Sequence, residues 1–425
     1  MDSIEITTPE SVGLSKSKLA EIPKLINSKY IKTHKMGGCL VAVCRKGKLA
    51  HVSLCGKANI KENIDIKTDT IFRIYSMTKP ITSTMIMILF DQGKISLNDP
   101  VSKYVPQLKN LSVYSSGSYP TWTTKPPIRE VTIHDLLTHQ SGMSYGFLAE
   151  YENPSEVSKA MNEIRFSQLF TGKNRHIKNL SDFLDIIKTL PLESSPGSHW
   201  NYSVSFEILG HIAEVISGKP LNEAFKENIF TPLGMTDTDF EVPDHKLERF
   251  ASNYEVNING ELTLFDDPYN SEFRTPVTFY SGGAGLVSTM SDYLKFCQIF
   301  INKGLYRNQR ILSENSIYLM TSNQLPDNKS IKDHQRAPLF SSMNSGTRFV
   351  TDGLSFGLGF AIVSDIQKNG GFGSKGTFHW IGAASTYFWV DPQKDLVTLI
   401  LSQVYMSRPP IMEEIKKIVY SSLTD

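Results

Sequence analysis

The chain has 425 residues, 40% hydrophobic and 20% charged, with 44 Lys and Arg against 43 Asp and Glu and a formal net charge of +1. Such a composition excludes a largely disordered chain, and the balance of charge leaves no global field to steer the molecule toward nucleic acid or anionic lipid. The length exceeds what one compact core usually holds and predicts roughly two or three folding units.

The opening residues, Met1-Asp2-Ser3-Ile4-Glu5, carry no basic region and no apolar core of the signal-peptide kind. No apolar run approaches the ~20 residues that cross a bilayer. A cytoplasmic protein with no membrane span is the expectation, with a mature secreted form as the alternative. Ser15 is placed to cap a helix that carries Leu19, Ile22, Leu25 and Ile26 on one face, with Pro23 as a kink inside it. Residues 39–44 and 49–55 read as two strands of a hairpin, joined through Arg45-Lys46-Gly47-Lys48. Cys39, Cys44 and Cys55 fall in those strands and Cys297 in a later helix; no CxxC pair occurs, so they read as small apolar residues rather than as a zinc site or a disulfide frame.

Residues 72–80 run into an apolar helix that continues to Phe90. Further helices are expected over 132–138, 204–217 and 291–303, with Gly218 and Gly304 closing the last two. Residues 110–130 and 326–352 lack periodicity and read as long loops. Near the end, residues 386–390 and 396–401 form a second strand pair around Asp391-Pro392-Gln393-Lys394-Asp395, followed by a helix with Ile411, Ile415, Ile418 and Val419 on one face. Strands at both ends around a helical middle predict an α+β fold. In it one antiparallel sheet is built from both termini and flanked by helices. The corresponding division is a discontinuous sheet domain, residues 1–80 and 345–425, and a mostly helical region, residues 81–344, forming the other wall of a cleft.

The segment with chemistry in it is Phe72-Arg73-Ile74-Tyr75-Ser76-Met77-Thr78-Lys79-Pro80. Ser76 and Lys79 are spaced i, i+3, one turn apart on one helical face. A serine hydroxyl needs a neighbour to take its proton, and a desolvated lysine can do so or hold another base in place. A helix start adds backbone N–H groups and a dipole that favour developing negative charge. The same spacing occurs in Ser15-Lys16-Ser17-Lys18, which reads as a cap on an exposed, lysine-rich helix. Gly142-Met143-Ser144-Tyr145-Gly146 matches the GxSxG nucleophile elbow, but that elbow needs a strand before it, and here the preceding residues have a helical pattern. Ser144 is therefore read as a loop residue.

Several further segments accompany the serine: Gly93-Lys94-Ile95-Ser96-Leu97-Asn98-Asp99-Pro100-Val101, Ile133-His134-Asp135-Leu136-Leu137-Thr138-His139-Gln140-Ser141-Gly142-Met143, Pro232-Leu233-Gly234-Met235 and Gly282-Gly283-Ala284-Gly285-Leu286. With them the sequence resembles the β-lactamase-like, or penicillin-recognising, serine hydrolases, and most nearly the class C β-lactamase-like esterases called family VIII carboxylesterases. The resemblance runs from about Ser11 to about Ser402. It implies a β-lactamase/transpeptidase-like fold, Ser76 as nucleophile, Lys79 as its partner, and a second motif with a tyrosine. Tyr151-Glu152-Asn153 and Tyr306-Arg307-Asn308 match Tyr-x-Asn literally but sit in polar segments. Tyr202-Ser203-Val204, after Pro196-Gly197-Ser198-His199-Trp200-Asn201, has the family surroundings, with Val204 where β-lactamases carry asparagine. The third family motif, Lys-Thr-Gly, does not occur; Trp380-Ile381-Gly382 resembles its esterase counterpart Trp-Gly-Gly, with Ile381 departing from the middle glycine. An indole at 380 offers an apolar wall in place of a cation that would pair a substrate carboxylate.

The expected mechanism is carboxylic-ester cleavage through an acyl-enzyme. Tyr202 and Lys79 take the proton of Ser76, and the backbone N–H groups of Ser76 and Ala383 hold the oxyanion. No metal or cofactor is called for; His134, His139, His199 and His379 lack ligand spacing. The expected partner is a small-molecule ester, without nucleic acid. Rival readings are an acyltransferase using the same acyl-enzyme, a β-lactamase or D-alanyl peptidase, and a non-catalytic binding protein on the same scaffold. Tyr145, Phe147, Phe279, Tyr280 and Trp380 are candidates for an apolar pocket, with core packing as the other explanation.

Overall fold

Residues 38–45 are apolar at almost every position, and the strand they form, β1 (Gly38–Arg45), is buried along its whole length. Such a run needs both faces covered. In the computed structural model, which describes residues 4–150, 154–164, 177–274, 276–336, 351–407 and 409–425, the cover is a layer of helices on each side. Lys46 and Gly47, with φ of +51° and +74°, make the tight turn that matches strand twist, and β2 (Lys48–Asn59) returns antiparallel to β1. β3 (Ile64–Asp65) completes the N-terminal part. The C-terminal part supplies β4 (Leu354–Phe356), β5 (Ala361–Val363), β6 (Phe378–Gly382), β7 (Thr386–Asp391) and β8 (Leu396–Ser402). Among the described residues these form one eight-stranded sheet in the order β4-β5-β6-β7-β8-β1-β2-β3. The two parts join where β8 pairs β1 antiparallel, Cys39 opposite Ser402 and Arg45 opposite Leu396. The α+β class with a sheet built from both ends is what the strand pattern predicts.

Strand alternation sorts the side chains of β6 and β7. Phe378, Trp380 and Phe388 face the cleft side, where α4 (Met290–Ile301) lies against the sheet with Tyr293 5.1 Å from Phe388 and Phe300 5.6 Å from Phe378, ring centre to ring centre. His379, Ile381, Tyr387 and Trp389 face the opposite side. There they line a cavity with Met412 and Lys416 of α5 (Ile411–Ser421). The cleft side also holds α1 (Thr78–Asp91), buried from Thr78 to Leu89, α2 (Ile133–Leu137), started by a reciprocal Thr132–Asp135 capping box, and α3 (Ser205–Ser217). One apolar cluster runs from Leu19, Ile22 and Ile26 through the sheet into α1, α3 and α4. A smaller cluster gathers Ile71, Tyr75, Val242, Phe250, Phe273 and Ala384 beside the start of α1. No helix among the described residues is long and apolar enough to cross a membrane, and all four cysteines are buried free thiols.

Local expectations change in three places. The N-terminal helix breaks at Ala20, between helices Lys16–Leu19 and Glu21–Ile26, so Pro23 falls in the first turn of the second one, where its missing N–H has no partner to lose. Residues 110–130 contain a hairpin, Val113–Ser116 with Thr123–Lys125, whose strands are too short to show periodicity. Of the loop expected over 326–352, residues 337–350 lie outside the described residues, and the described part forms short helical turns, Pro326–Asn328 and Ile331–His334. We propose a division into residues 1–80 with 345–425 and residues 81–344. Its boundary at 345 lies outside the described residues, and α4, from the second region, packs on the sheet of the first.

Candidate active site

Ser76 sits in a single 3₁₀ turn, Tyr75–Met77, between the short strand Phe72–Arg73 and α1. Two devices hold this turn. Arg73 is wholly buried and donates to Asp266 Oδ2 at 2.6 Å, the Ala251 carbonyl at 2.5 Å and Ser271 Oγ at 3.1 Å, with its guanidinium 3.8 Å from the centre of the Phe250 ring. Its own backbone N–H and C=O are both taken by the Gln403 side chain. The next device is Tyr75, a non-glycine residue at φ +40°. That left-handed value costs about 1–3 kcal/mol. It is held because the ring packs edge-on to Phe273 at 5.9 Å and tilted to Tyr405 at 5.5 Å while Asn253 Nδ2 donates to its hydroxyl at 3.1 Å. The result is a sharp entry into α1 that leaves Ser76 partly exposed between buried neighbours.

Lys79, one turn on, is 1% exposed. Its ammonium donates to Ser76 Oγ at 3.2 Å and to the Gly283 carbonyl at 2.9 Å, and lies 4.7 Å from the Tyr202 ring centre. Since Lys79 donates to Ser76, the serine hydroxyl hydrogen is free to point at Tyr202 Oη, 2.8 Å away. Tyr202 stands in the segment leading into α3, which is tied to the loop after α2: Asn201 N–H donates to the His139 carbonyl at 2.8 Å, Asn201 Nδ2 to the Met143 carbonyl at 2.7 Å, and Val204 N–H to the Ser144 carbonyl at 3.2 Å. The structure thus places Ser76 Oγ within hydrogen-bond reach of both Lys79 and Tyr202, joining two separate parts of the chain. Chemically, the arrangement offers a hydroxyl with a proton acceptor in contact and a fixed cation beside it.

Three buried groups surround this trio: His139 and Tyr145, which the sequence offers for packing or an apolar pocket, and Glu207, which it does not single out. His139 stacks obliquely on Tyr202 at 4.8 Å; burial, and then the Lys79 charge, hold its imidazole well below its ordinary pKa, so it stays neutral. Tyr145 lies 5.2 Å from Tyr202, and burial with the adjacent Tyr202 and Glu207 raises its phenol well above the usual value. Glu207, on α3, is wholly buried; burial pushes its carboxyl up to about 7, against the opposing pull of Lys79 and of hydrogen bonds from Ser281 and Gly283. The one sequence signal for Glu207 is a lone acid inside the apolar run Val204-Ser205-Phe206-Glu207-Ile208-Leu209.

The third motif divides. Trp380 lies on the Ser76 side of the sheet, 5.8 Å from Tyr202 and edge-on to Phe356 at 5.4 Å. Gly382, at the end of β6, lies so close to the serine turn that a Cβ there would sit 2.3 Å from the Ile74 carbonyl and 2.2 Å from Thr386 Oγ1. Ala383 follows in the link to β7, its carbonyl accepting from Met406 N–H at 2.7 Å. Ile381 points to the other face of the sheet, into the cavity under α5, so its departure from glycine leaves the Tyr202 side to Trp380. Of the aromatic candidates, Tyr145, Phe147 and Trp380 surround Tyr202, whereas Phe279 packs on Phe183 and Tyr280 on Phe240.

The decoys have structural occupations. Ser144 is buried and its carbonyl holds Val204, so the GxSxG segment braces the tyrosine. Ser15 accepts from Lys18 N–H at 3.3 Å as a helix cap. Tyr306-Arg307-Asn308 turns a hairpin lining a cavity with Leu233, Asp237 and Lys295, without Ser76, Lys79 or Tyr202. Tyr151-Glu152-Asn153 lies outside the described residues. Among the described residues, no three His, Cys, Asp or Glu side chains are grouped as metal ligands.

Comparison with known proteins adds to this geometry. Residues 25–410 match the sequence model of the Beta-lactamase family. Protein Rv1367c of Mycobacterium tuberculosis strain H37Rv is 33% identical over 371 residues, covering 87% of this chain and 86% of that protein. Esterase EstB of Burkholderia gladioli is 26% identical over 411 residues, 93% of each chain. The solved structure of EstCE1, described as a hydrolase with promiscuous acyltransferase activity, superposes with a TM-score of 0.75 at 21% identity, over 95% of this chain and 99% of that one. That likeness establishes a shared fold.

Proposed function

The chain belongs to the β-lactamase family, and we propose that it is a carboxylesterase-type serine hydrolase that cleaves small-molecule esters through an acyl-enzyme on Ser76. The observation that carries this reading is Ser76 Oγ lying 2.8 Å from Tyr202 Oη and 3.2 Å from Lys79 Nζ. Its relative EstB bears the name esterase. In the first half-reaction Ser76 Oγ attacks the ester carbonyl carbon as its proton passes to the Tyr202–Lys79 pair. The carbonyl oxygen becomes an anion, to be held by the Ser76 and Ala383 backbone N–H groups, each such donor contributing ~3–4 kcal/mol. The bond to the alcohol oxygen then breaks and that oxygen takes the proton. In the second half-reaction water repeats the attack, the acid departs, and Ser76 regains its hydrogen. The Trp380 indole beside Tyr202 supports a neutral ester over a carboxylate-bearing β-lactam or peptide end.

Purified wild type, Ser76→Ala and Ser144→Ala should be compared on short p-nitrophenyl esters and on a fluorophosphonate probe. Loss of turnover by about 10³-fold or more in Ser76→Ala, with Ser144→Ala near wild type, is the expected result. Full activity in Ser76→Ala with loss in Ser144→Ala would reverse the assignment. A second reading, acyl transfer to an alcohol, uses the same acyl-enzyme and is favoured by the fold shared with EstCE1. Analysis of products with added alcohol separates the two.

A further inference from the structure

Glu207 is a carboxyl group with 0% exposure on the apolar face of α3. Oε1 accepts from Ser281 Oγ at 2.9 Å and from Gly283 N–H at 3.2 Å, while Oε2 is buried with no hydrogen-bond partner. A half-satisfied buried acid is costly, and packing alone would be served better by an apolar residue. What faces it is the reaction centre. Gly283 gives its N–H to Glu207 and its C=O to the Lys79 ammonium, so one residue ties the carboxyl to the cation. A Cβ on Gly283 would come 2.5 Å from Glu207 Oε1 and 3.1 Å from Tyr145 Oη, so a side chain there would displace the carboxyl. The titratable groups facing Glu207 are the Lys79 ammonium from α1 and the neutral Tyr145 phenol from the loop after α2, with Tyr202 beside both.

We infer that Glu207 is a positioning residue for the chemistry at Ser76: through Gly283 it fixes the direction of the Lys79 ammonium and balances its charge. The inference rests on the reading of Ser76 as nucleophile. Ionised, the carboxylate is a full counter-charge and a stronger acceptor for Ser281 and Gly283; protonated, it loosens both. With the group pushed up to about 7 by burial, acylation of Ser76 slows as pH falls through that value.

Glu207→Gln keeps the shape and the acceptor oxygen and removes the charge. The second-order rate of fluorophosphonate labelling, followed by intact mass on the full chain from pH 5.5 to 9, is the readout, with thermal unfolding as the check on folding. In wild type the rate should rise through a step near pH 7. In Glu207→Gln the plateau should fall roughly 10–100-fold, a loss of the size expected when general acid–base groups are misplaced, and that step should vanish. A Gln variant with the wild-type plateau and step overturns the inference and leaves the serine reading standing. Absence of labelling in wild type overturns both. If the Gln variant does not fold, Glu207→Asp decides: a displaced step supports the role, an unshifted profile overturns it.

Discussion

At Gly382 the absent side chain lets a strand end touch the turn that carries Ser76. An added Cβ would meet the Ile74 carbonyl and Thr386 Oγ1 at 2.3 and 2.2 Å, and neither is the tip of a flexible chain. Gly382→Ala should therefore push β6 and Ala383 away from Ser76 and lower kcat on p-nitrophenyl esters by about 10²-fold, as displacements near 1 Å do. Substrate protection and a melting curve would show whether the fold persists, and unchanged kcat would sink the argument. This is also where sequence reading shows its reach. Ser76 and Lys79 were legible because their relation is local, one turn of one helix. Tyr202 needed the resemblance, since nothing in spacing places it against a serine so far away in the chain. Ile381 was grouped with its neighbours in a motif, yet strand alternation sends it to the other face. Glu207, Tyr145 and Gly283 stayed hidden as a set because their connection runs only through space.

The strand Phe72–Arg73 shows how a short element is made rigid by one cation. Its two residues pair with Val287–Ser288, which is little support for a segment that must hold the strained Tyr75. Arg73 supplies the rest, reaching Asp266, Ala251, Ser271 and Gln403 from a site with no solvent. Arg73→Met leaves Asp266 without its cation and several acceptors unfilled, so urea denaturation should show a loss of about 3–5 kcal/mol. A loss under 1 kcal/mol would mean the network contributes little. The hairpin of β1 and β2, helices α1, α3 and α4 and the final strand pair were legible as elements, each long enough for its period to repeat. The hairpin within 110–130 was not, because strands of four and three residues carry no period. The burial of Arg73 is not marked in the sequence; the partners gathered around it reveal it.

Across the whole molecule, two buried groups set opposing pH dependences of stability. Burial raises Glu207 from 4.5 to about 7, so the folded state holds that proton more tightly and stability falls as pH rises from 4.5 to 7. Burial, with a smaller push from Lys416, lowers His379 from 6.5 to about 3, so stability falls as pH drops from 6.5 toward 3. Each slope approaches 1.4 kcal/mol per pH unit, and they cancel between about pH 4.5 and 6.5. Relative to wild type, Glu207→Gln should lose stability on acidification through that window, and His379→Leu on alkalisation; urea midpoints from pH 4 to 8 test this, and parallel curves for all three would refute it. The junction of β1 with β8 carries another consequence. A ribosome delivers β1 together with β2, yet the other hydrogen-bonding neighbour of β1, β8, emerges only about 350 residues later, a delay on the order of tens of seconds. Until then the nascent chain displays an apolar, half-paired strand edge, which makes it a client for holdase chaperones. Arrested translation intermediates that stop before residue 396 should stay protease-sensitive and chaperone-bound, and those that extend past residue 402 should not.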